Sequence, residues 1–128
     1  MVVDILWSDP TDFDTELGIQ PNVVRDPAGT GNIVKYGPDR VQEFLNKNNL
    51  SMIIRAHEVL IFLFNLKCVM DGFERFAGGS LITLFSATDY CGRHKNAGAV
   101  LILKKNFEII PKLIYPQNMQ GNWIEDED

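Results

Sequence analysis

Two short segments of the sequence hold side chains that could do chemistry. The first, residues 55–58, reads Arg-Ala-His-Glu and directly follows an apolar run typical of a buried strand, which places His57 near the end of that strand. The carboxyl ends of strands are common positions for functional groups in α/β sheets, and an imidazole there could bind a metal ion or act as a general base. A structural histidine at a strand–loop junction is the alternative that spacing alone favours.

The second segment, residues 88–92, reads Thr-Asp-Tyr-Cys-Gly and places the phenol of Tyr90 beside the thiol of Cys91. It also follows an apolar run, so it too is predicted to lie at the end of a strand. A turn with a packed tyrosine is the alternative that the residues by themselves favour.

The elements that position these segments begin with a strand and a long loop. Residues 2–7 are mostly apolar and are interpreted as a strand that ends at Ser-Asp-Pro. Residues 10–37 hold four of the ten glycines and three of the six prolines, which indicates a long connection. Within it, residues 26–32 are glycine-rich but lack the Gly-Lys-Ser/Thr ending of a phosphate-binding loop, so a flexible surface loop is predicted.

The rest of the chain is predicted to be one helix followed by strands. The helix begins at Pro38 and carries apolar residues at i, i+3 and i+4. Pro111 lacks an N–H group and therefore places the last strand at a sheet edge. The order predicts an α/β fold that becomes strand-rich towards its C-terminus. Four strands are predicted, of which the last two form a β-hairpin: residues 50–54, 80–86, 99–103 and 108–114.

The composition is that of an ordinary globular domain. The 128 residues are 45% hydrophobic and 23% charged, with a formal charge of −5 to which the acidic residues 125–128 contribute −4. No basic patch indicates a nucleic-acid partner. Two cysteines without disulfide or metal spacing favour a cytoplasmic or nuclear location. No secretory signal and no membrane segment are predicted, because the apolar run at residues 59–64 is far too short to span a bilayer.

Five motifs occur in one order along the chain. They resemble the C-terminal half of the catalytic domain of the phosphoprotein phosphatases, the serine/threonine phosphatase family that includes protein phosphatase 1. The residues of these motifs are especially similar to those of the family branch that contains the phosphatases with kelch repeats. The resemblance implies a calcineurin-like metallophosphoesterase fold, a β-sandwich flanked by helices, of which this half would be incomplete alone. The motifs are LWSDP at 6–10, IRAHE at 54–58, VMDGFE at 69–74, LFSATDYCG at 84–92 and NAGA at 96–99.

The resemblance also implies roles for individual residues. In this family two divalent metal ions (manganese, iron or zinc) share a hydroxide that attacks phosphorus in line. His57 matches a histidine that binds one metal, Tyr90 a tyrosine beside the catalytic centre, and Cys91 a cysteine to which some inhibitors attach. Arg25 is the nearest match to an arginine that contacts the substrate phosphate, although Asp-Pro replaces the usual glycine after it and residues 28–32 lengthen its loop.

The other metal-binding motifs of the family do not occur in these 128 residues. None of Gly-Asp-x-His-Gly, Gly-Asp-x-Val-Asp-Arg-Gly and Gly-Asn-His-Glu is present. One imidazole cannot hold a catalytic dication, because such sites need at least three protein ligands. The chain alone is therefore expected to be inactive, and as half of a sandwich it is expected to expose apolar strand faces. The missing motifs are expected upstream of Met1.

Nine residues, 59–67, interrupt the family pattern between Glu58 and Cys68, and removing them restores it. Every valine codon begins with GT and one lysine codon ends with AG. A retained short intron, read through in frame, is therefore the favoured explanation. A genuine insertion that extends the strand and an apolar docking segment are the alternatives.

Two functional hypotheses follow from the sequence. In the first, residues 1–116 are part of a metal-dependent phosphatase that acts on phosphoserine and phosphothreonine in proteins and binds regulatory subunits, with no nucleic-acid or membrane partner. In the second, the chain is a non-catalytic truncated product that binds phosphatase partners or regulators. Residues 117–128 lie beyond the resemblance and are predicted to be a disordered acidic tail.

Overall fold

Short strands, one long helix and several tight turns form the part of the chain that the structure describes. The computed structural model describes residues 2–56 and 71–116. A 3₁₀ turn, Tyr90–Gly92, lies between the last two sheets in chain order. The helices and strands are α1 (Val2–Trp7), β1 (Asp9–Pro10), β2 (Ile19–Pro21), β3 (Val34–Tyr36), α2 (Pro38–Asn48), β4 (Ile53–Arg55), β5 (Phe73–Phe76), β6 (Leu81–Leu84), β7 (Gly98–Leu103) and β8 (Ile109–Ile114).

Helix α2 begins where the sequence changes from glycine to proline. Gly37 has an extended backbone (φ −78°, ψ 170°), and Pro38 occupies the first turn, where its fixed φ suits a helix. The helix ends at Asn49, which adopts the left-handed conformation (φ 53°) common at helix C-termini. Val41 and Leu45, one turn apart, are both buried. The predicted helix and its apolar face are therefore confirmed.

Strand β6 is the centre of the main sheet, in which the order is β4–β6–β5. It pairs parallel with β4 and antiparallel with β5. Leu81 and Ile82 of β6 have no exposed surface, as expected for a central strand that is apolar on both faces. Leu81 packs with Phe76 of β5 and with Val41 and Leu45 of α2, so this core fixes the helix against the sheet.

Strands β7 and β8 form the predicted hairpin. Their pairing runs from Gly98 opposite Ile114 to Leu103 opposite Ile109. Pro111 lies opposite Leu101, and within the described residues β8 has β7 as its sole neighbour. The proline is therefore at a sheet edge, as the sequence predicted.

The beginning of β7 lies very close to the loop that follows β6. Ala99 N–H donates to the Phe85 carbonyl (2.9 Å), and Phe85 N–H donates to the Gly72 carbonyl (2.7 Å). Two glycines permit this approach. A Cβ on Gly98 would lie 2.6 Å from the Ser86 carbonyl oxygen, and one on Gly72 would lie 2.4 Å from the Gly98 carbonyl carbon. These contacts hold the loop after β6 against the hairpin.

The N-terminal third differs from the prediction. Residues 2–7, predicted to be a strand, form α1, and all six residues are exposed. A strand needs a neighbour for its hydrogen bonds, whereas a helical turn satisfies them locally, as where Ser8 N–H donates to the Asp4 carbonyl (3.0 Å). The predicted loop at 10–37 also contains β2 and β3, which pair antiparallel, while β3 pairs parallel with β1. Strands of three residues are too short to show an alternating pattern.

The predicted fold class is confirmed, because the described residues form a mixed α/β structure that is strand-rich towards the C-terminus. His57, the apolar segment 59–67 and the acidic tail 117–128 lie outside the described residues, and the division of the chain at residue 116 stays a prediction. No helix within residues 2–56 and 71–116 is long and apolar enough to cross a membrane.

Val100 and Ile102 lie on one face of the hairpin and are 43% and 47% exposed. The effect of this exposed apolar surface on self-association can be tested. We expect the double substitution Val100→Thr with Ile102→Thr to reduce concentration-dependent self-association, because exposed apolar strands at a sheet edge promote association. Threonine keeps the preference for a strand. Sedimentation velocity at several concentrations measures the effect. The control is Val23→Thr with Val24→Thr, in a turn outside the hairpin; equal self-association of both double variants would contradict the expectation.

Candidate functional site

A buried aspartate, Asp9, gathers three side chains from different parts of the chain. It is 3% exposed and lies at the start of β1. Its Oδ2 accepts hydrogen bonds from Arg25 Nε (2.5 Å) and Asn22 Nδ2 (2.9 Å). Its Oδ1 accepts one from Arg55 Nη2 (3.1 Å). These four residues are called the Asp9 cluster below.

The ends of secondary-structure elements place each member of the Asp9 cluster. Asn22 directly follows β2, and its Oδ1 accepts the backbone N–H of Arg25 (3.2 Å), which closes a turn. Trp7, the last residue of α1, lies with its ring centroid 5.8 Å from the Arg25 guanidinium carbon, a cation–π contact. Arg55 is the last residue of β4 and precedes His57 by two residues.

Arginine predominates among the charged side chains of the Asp9 cluster. Two guanidinium groups face one carboxylate, and the side chains of Arg25 and Arg55 are only 11% and 13% exposed. Hydrogen bonds between charged groups are strong in such poorly solvated surroundings. A guanidinium group has five N–H donors, so an arginine that binds a carboxylate can also donate to a further anion. Guanidinium groups match the planar arrangement of phosphate oxygens particularly well.

The predicted segment with the phenol and the thiol forms a second group of side chains. Asn96, which is fully buried, accepts the backbone N–H of Tyr90 at its Oδ1 (2.9 Å) and donates from Nδ2 to the Ala87 carbonyl (2.7 Å). The Tyr90 ring packs edge-on against Phe85, with 5.4 Å between the ring centroids. Cys91 is exposed and is not in a disulfide. Tyr90 is thus a packed residue of a tight turn whose position depends on Asn96.

The glycine-rich loop is built around the carboxylate of Asp26. This carboxylate accepts the backbone N–H of Thr30 (3.0 Å), the Thr30 hydroxyl (3.0 Å) and the backbone N–H of Gly31 (2.8 Å). These hydrogen bonds, led by the one from the Thr30 backbone, lower the pKa of Asp26 from its ordinary value of 3.8. A loop whose N–H groups already surround its own anion is a poor cradle for a phosphate. This geometry agrees with the predicted surface loop.

Arg25 and Tyr90 therefore belong to two different groups, the Asp9 cluster and the loop held by Asn96. His57, predicted to bind metal, lies outside the described residues. The sequence analysis assigned no role to Asp9, Asn22, Arg55 or Asn96. Asp9, Arg55 and Asn96 lie in three of the five recognised motifs, which was the available signal.

The described residues do not by themselves fit a metal centre. Within residues 2–56 and 71–116 no group of three or more histidine, cysteine, aspartate and glutamate side chains could hold a metal ion. The single carboxylate of the Asp9 cluster is bound by two arginines, which compete with any cation for its oxygens. The cluster is suited to an anion.

Comparisons with known proteins agree with the motifs. No family model matches the chain. The chain is 53% identical over 116 residues to the serine/threonine-protein phosphatase BSL2 of Arabidopsis thaliana, which covers 91% of this chain and 10% of that protein. It also resembles a solved structure of a protein serine/threonine phosphatase from Saccharomyces cerevisiae with similarity to human phosphatase PP5, with a TM-score of 0.62 and 27% identity. That likeness covers 88% of this chain and 33% of the yeast chain.

The Asp9 cluster predicts a large loss of stability for Asp9→Asn. The substitution removes the carboxylate that two poorly exposed guanidinium groups share, so we expect the free energy of unfolding to fall by about 3–5 kcal/mol. Asp12→Asn is the matched control. Asp12 pairs with Lys35 (2.8 Å) at an exposed position, and such pairs contribute about 0–1 kcal/mol. Urea titration of both variants measures the free energy of unfolding. Equal losses would contradict the expectation that Asp9 contributes more to stability than an exposed ion pair.

The lowered pKa of Asp26 predicts a pH dependence of its loop. A carboxylate whose pKa is depressed in the folded state stabilises that state above its ordinary pKa, and the contribution disappears as pH falls through the lower folded value. We expect the amide chemical shifts of Thr30 and Gly31 to titrate together with a midpoint below pH 3.8. In Asp26→Asn this titration should vanish. A midpoint at or above pH 3.8 would mean that these hydrogen bonds do not favour the ionised carboxylate.

Proposed function

Because this chain belongs to the phosphoprotein phosphatase family, we propose that it supplies part of the catalytic domain of a metal-dependent protein-serine/threonine phosphatase. The observation that carries the proposal is the Asp9 cluster, in which two arginines from distant parts of the chain converge on one buried carboxylate. The chain spans about a tenth of the Arabidopsis phosphatase and a third of the yeast phosphatase chain that it matches.

In this proposal the Asp9 cluster binds the phosphate of the substrate. Arg25 contacts the phosphate oxygens, as the resemblance implies. Asp9 and Asn22 hold Arg25 in place through its side chain and its backbone N–H. Arg55 adds a second guanidinium group and joins the cluster to the end of β4, two residues before His57 in the sequence. A phosphate dianion placed there meets donors that are already oriented, which lowers the cost of ordering them.

The Tyr90 loop lies beside the substrate in this proposal. Asn96 fixes the backbone at Tyr90, and Phe85 supports its ring, so the phenol is held before substrate arrives. The exposed thiol of Cys91 next to it would be open to electrophilic inhibitors. These roles come from the resemblance, and the geometry supplies the residues that would position them.

Metal ions belong to the proposal only through the resemblance. When bound, a pair of manganese, iron or zinc ions would activate water and neutralise charge on the phosphoryl group. His57 would be one ligand. The described residues do not fit a complete metal site, and the family's other ligand motifs do not occur in these 128 residues. The remaining ligands would have to come from another part of the phosphatase.

The proposed substrates are proteins that carry phosphoserine or phosphothreonine. Regulatory subunits are proposed as further partners, whereas nucleic acids and membranes are not, since the sequence has no basic patch. A cytoplasmic or nuclear location is proposed from the two cysteines without a disulfide framework.

A second candidate function is non-catalytic binding of phosphatase partners or regulators. It is favoured by the apolar residues that both hairpin strands leave partly exposed, among them Leu103 (62% exposed) and Ile114 (44% exposed). Exposed apolar surfaces of this kind are typical of interaction sites. Loss of activity when the chain competes with an intact relative would support this candidate.

A chimera tests the catalytic proposal. Residues 2–116 of this chain, with residues 59–67 removed, replace the matching segment of the Arabidopsis relative, and hydrolysis of a phosphoserine peptide is measured. We expect the chimera to be active. Arg25→Gln in the chimera should lower kcat/KM by about 10²-fold or more, because a charged donor to the phosphate is lost. Restoring residues 59–67 should abolish most of the activity, since they follow the proposed metal ligand directly.

Arg40→Gln is the matched control for that chimera. Arg40 is an arginine of α2 that is 44% exposed and pairs with Glu43 (2.7 Å) on the helix surface, so its loss should leave kcat/KM unchanged. An inactive chimera that is folded and loaded with metal would contradict the catalytic proposal. Equal effects of Arg25→Gln and Arg40→Gln would remove Arg25 from the phosphate site.

A further inference from the structure

Three exposed cationic side chains lie around the open end of the hairpin, where Gly98 of β7 pairs with Ile114 of β8. Arg93 and Lys95 precede Gly98 by five and three residues, and Lys112 precedes Ile114 by two. Opposite Cα atoms of paired strands are about 5 Å apart and a residue spans at most about 3.6 Å, so Arg93, the farthest of the three, lies within about 24 Å of Ile114. These three residues are called the basic patch below.

The cations of the basic patch are available to a further acidic group. None of the three side chains forms an ion pair within residues 2–56 and 71–116. Two carboxylates lie nearby, those of Asp89 and Asp71. Asp89 Oδ1 accepts the backbone N–H of Lys95 (3.0 Å), and the backbone of Asp71 pairs with that of Ala97. The patch therefore has three cationic groups to two carboxylates.

The loop that presents Arg93 and Lys95 has a fixed backbone. Asp89 N–H donates to the Asn96 carbonyl (3.0 Å), and Gly92 N–H donates to the Asp89 carbonyl (2.7 Å). Lys95 has a φ of 50°, in the left-handed region that a residue other than glycine adopts only where its surroundings hold it. Because the backbone is already fixed, only the side chains have to be ordered when this loop binds an acidic group.

The acidic residues 125–128 follow the same end of the hairpin along the chain. They carry four negative charges, which is most of the net charge of the protein. Eleven residues lead from Ile114 to Glu125, and a stretch of that length spans up to about 36–40 Å. The basic patch lies within about 24 Å of Ile114. The connection is therefore long enough for the acidic residues to reach the basic patch of the same molecule.

We propose that residues 125–128 bind the basic patch of the same molecule, as an internal acidic ligand of the loop that carries Tyr90 and Cys91. Surface ion pairs are individually weak, but a tethered segment meets its site at an effective concentration in about the millimolar range, so several pairs act together. An acidic segment of another protein would have to displace residues 125–128 to reach this loop. The contact requires no catalysis and so stands apart from the proposed function.

Zero-length cross-linking of the full 128-residue chain tests the inference. A carbodiimide joins a carboxylate to a lysine amine as an amide, and takes up the water that is lost, only where the two groups touch. Peptide mass spectrometry then measures the links from residues 125–128 to each lysine. Lys105 is the internal control, because it is exposed at the closed turn of the hairpin and, nine residues before Ile114, lies within reach of the same segment at about 32 Å or less.

We expect at least about fivefold more links to Lys95 and Lys112 than to Lys105 at low ionic strength. In about 1 M salt the Debye length falls to about 3 Å, so the yield at all three lysines should become equal. Links to Lys105 as frequent as those to Lys95 and Lys112 at low ionic strength would overturn the inference. A preference for Lys95 and Lys112 that persists in high salt would overturn its electrostatic basis.

A pair of arginine variants tests the basic patch without removing the lysine that is measured. We expect Arg93→Gln to lower the yield of links to Lys95 about threefold, because one cation of the patch is lost. Arg40→Gln is the matched control, since Arg40 is an exposed arginine of α2 outside the patch, and its yield should be unchanged. Unchanged amide chemical shifts of Tyr90 and Asn96 in Arg93→Gln show that the loop is intact. Equal yields from both variants would remove Arg93 from the patch and contradict the inference.

Mixing chains of natural isotope content with chains labelled with nitrogen-15 identifies the occupant of the basic patch. Links within one isotopic form support the inference, whereas links that join the two forms would show that a second copy binds there and would overturn it. The chimera of residues 2–116 lacks the acidic residues, so its activity is measured independently. Failure of the inference therefore leaves the proposed function standing.

Discussion

The carboxylate of Asp9 connects segments that would otherwise have little reason to stay together. It lies at the junction of α1 and β1, and its two oxygens bind side chains that follow β2 and end β4. Those elements belong to different sheets. Burying a charge is costly unless strong hydrogen bonds satisfy it, so the buried Asp9 carboxylate needs the donors that reach it from these separate segments. The first sheet and the main sheet are therefore tied through one ion.

The same interaction explains why the site suits an anion. Two arginines converge on one carboxylate, and each guanidinium group has five N–H donors. A phosphate bound there, as we propose, would stabilise the folded state by mass action. The Asp9 carboxylate also keeps the guanidinium of Arg25 in place against the Trp7 ring. The positions of both arginines thus depend on one carboxylate.

The sequence predicted the elements whose signals are local. Helix α2 has proline at its start and buried residues one turn apart, and the hairpin has two apolar runs around a short polar turn. It failed for residues 2–7, because a strand depends on a partner and none of the described strands pairs with that segment. Likewise the Asp9 cluster joins residues 13 to 46 positions apart, and no periodicity reports such contacts. The resemblance indicated Arg25, whereas Asp9 was interpreted only as part of the Ser-Asp-Pro segment that ends a strand.

The Asp9 cluster is held by contacts among residues that precede the proposed metal ligand His57. All four of its members lie between residues 9 and 55, and the last of them, Arg55, is two residues from His57. The loop after Arg25 is tied chiefly to its own Asp26, so its length can change while the cluster keeps its geometry. The lengthened stretch at residues 28–32 can therefore depart from the family pattern without disturbing the four residues of the Asp9 cluster.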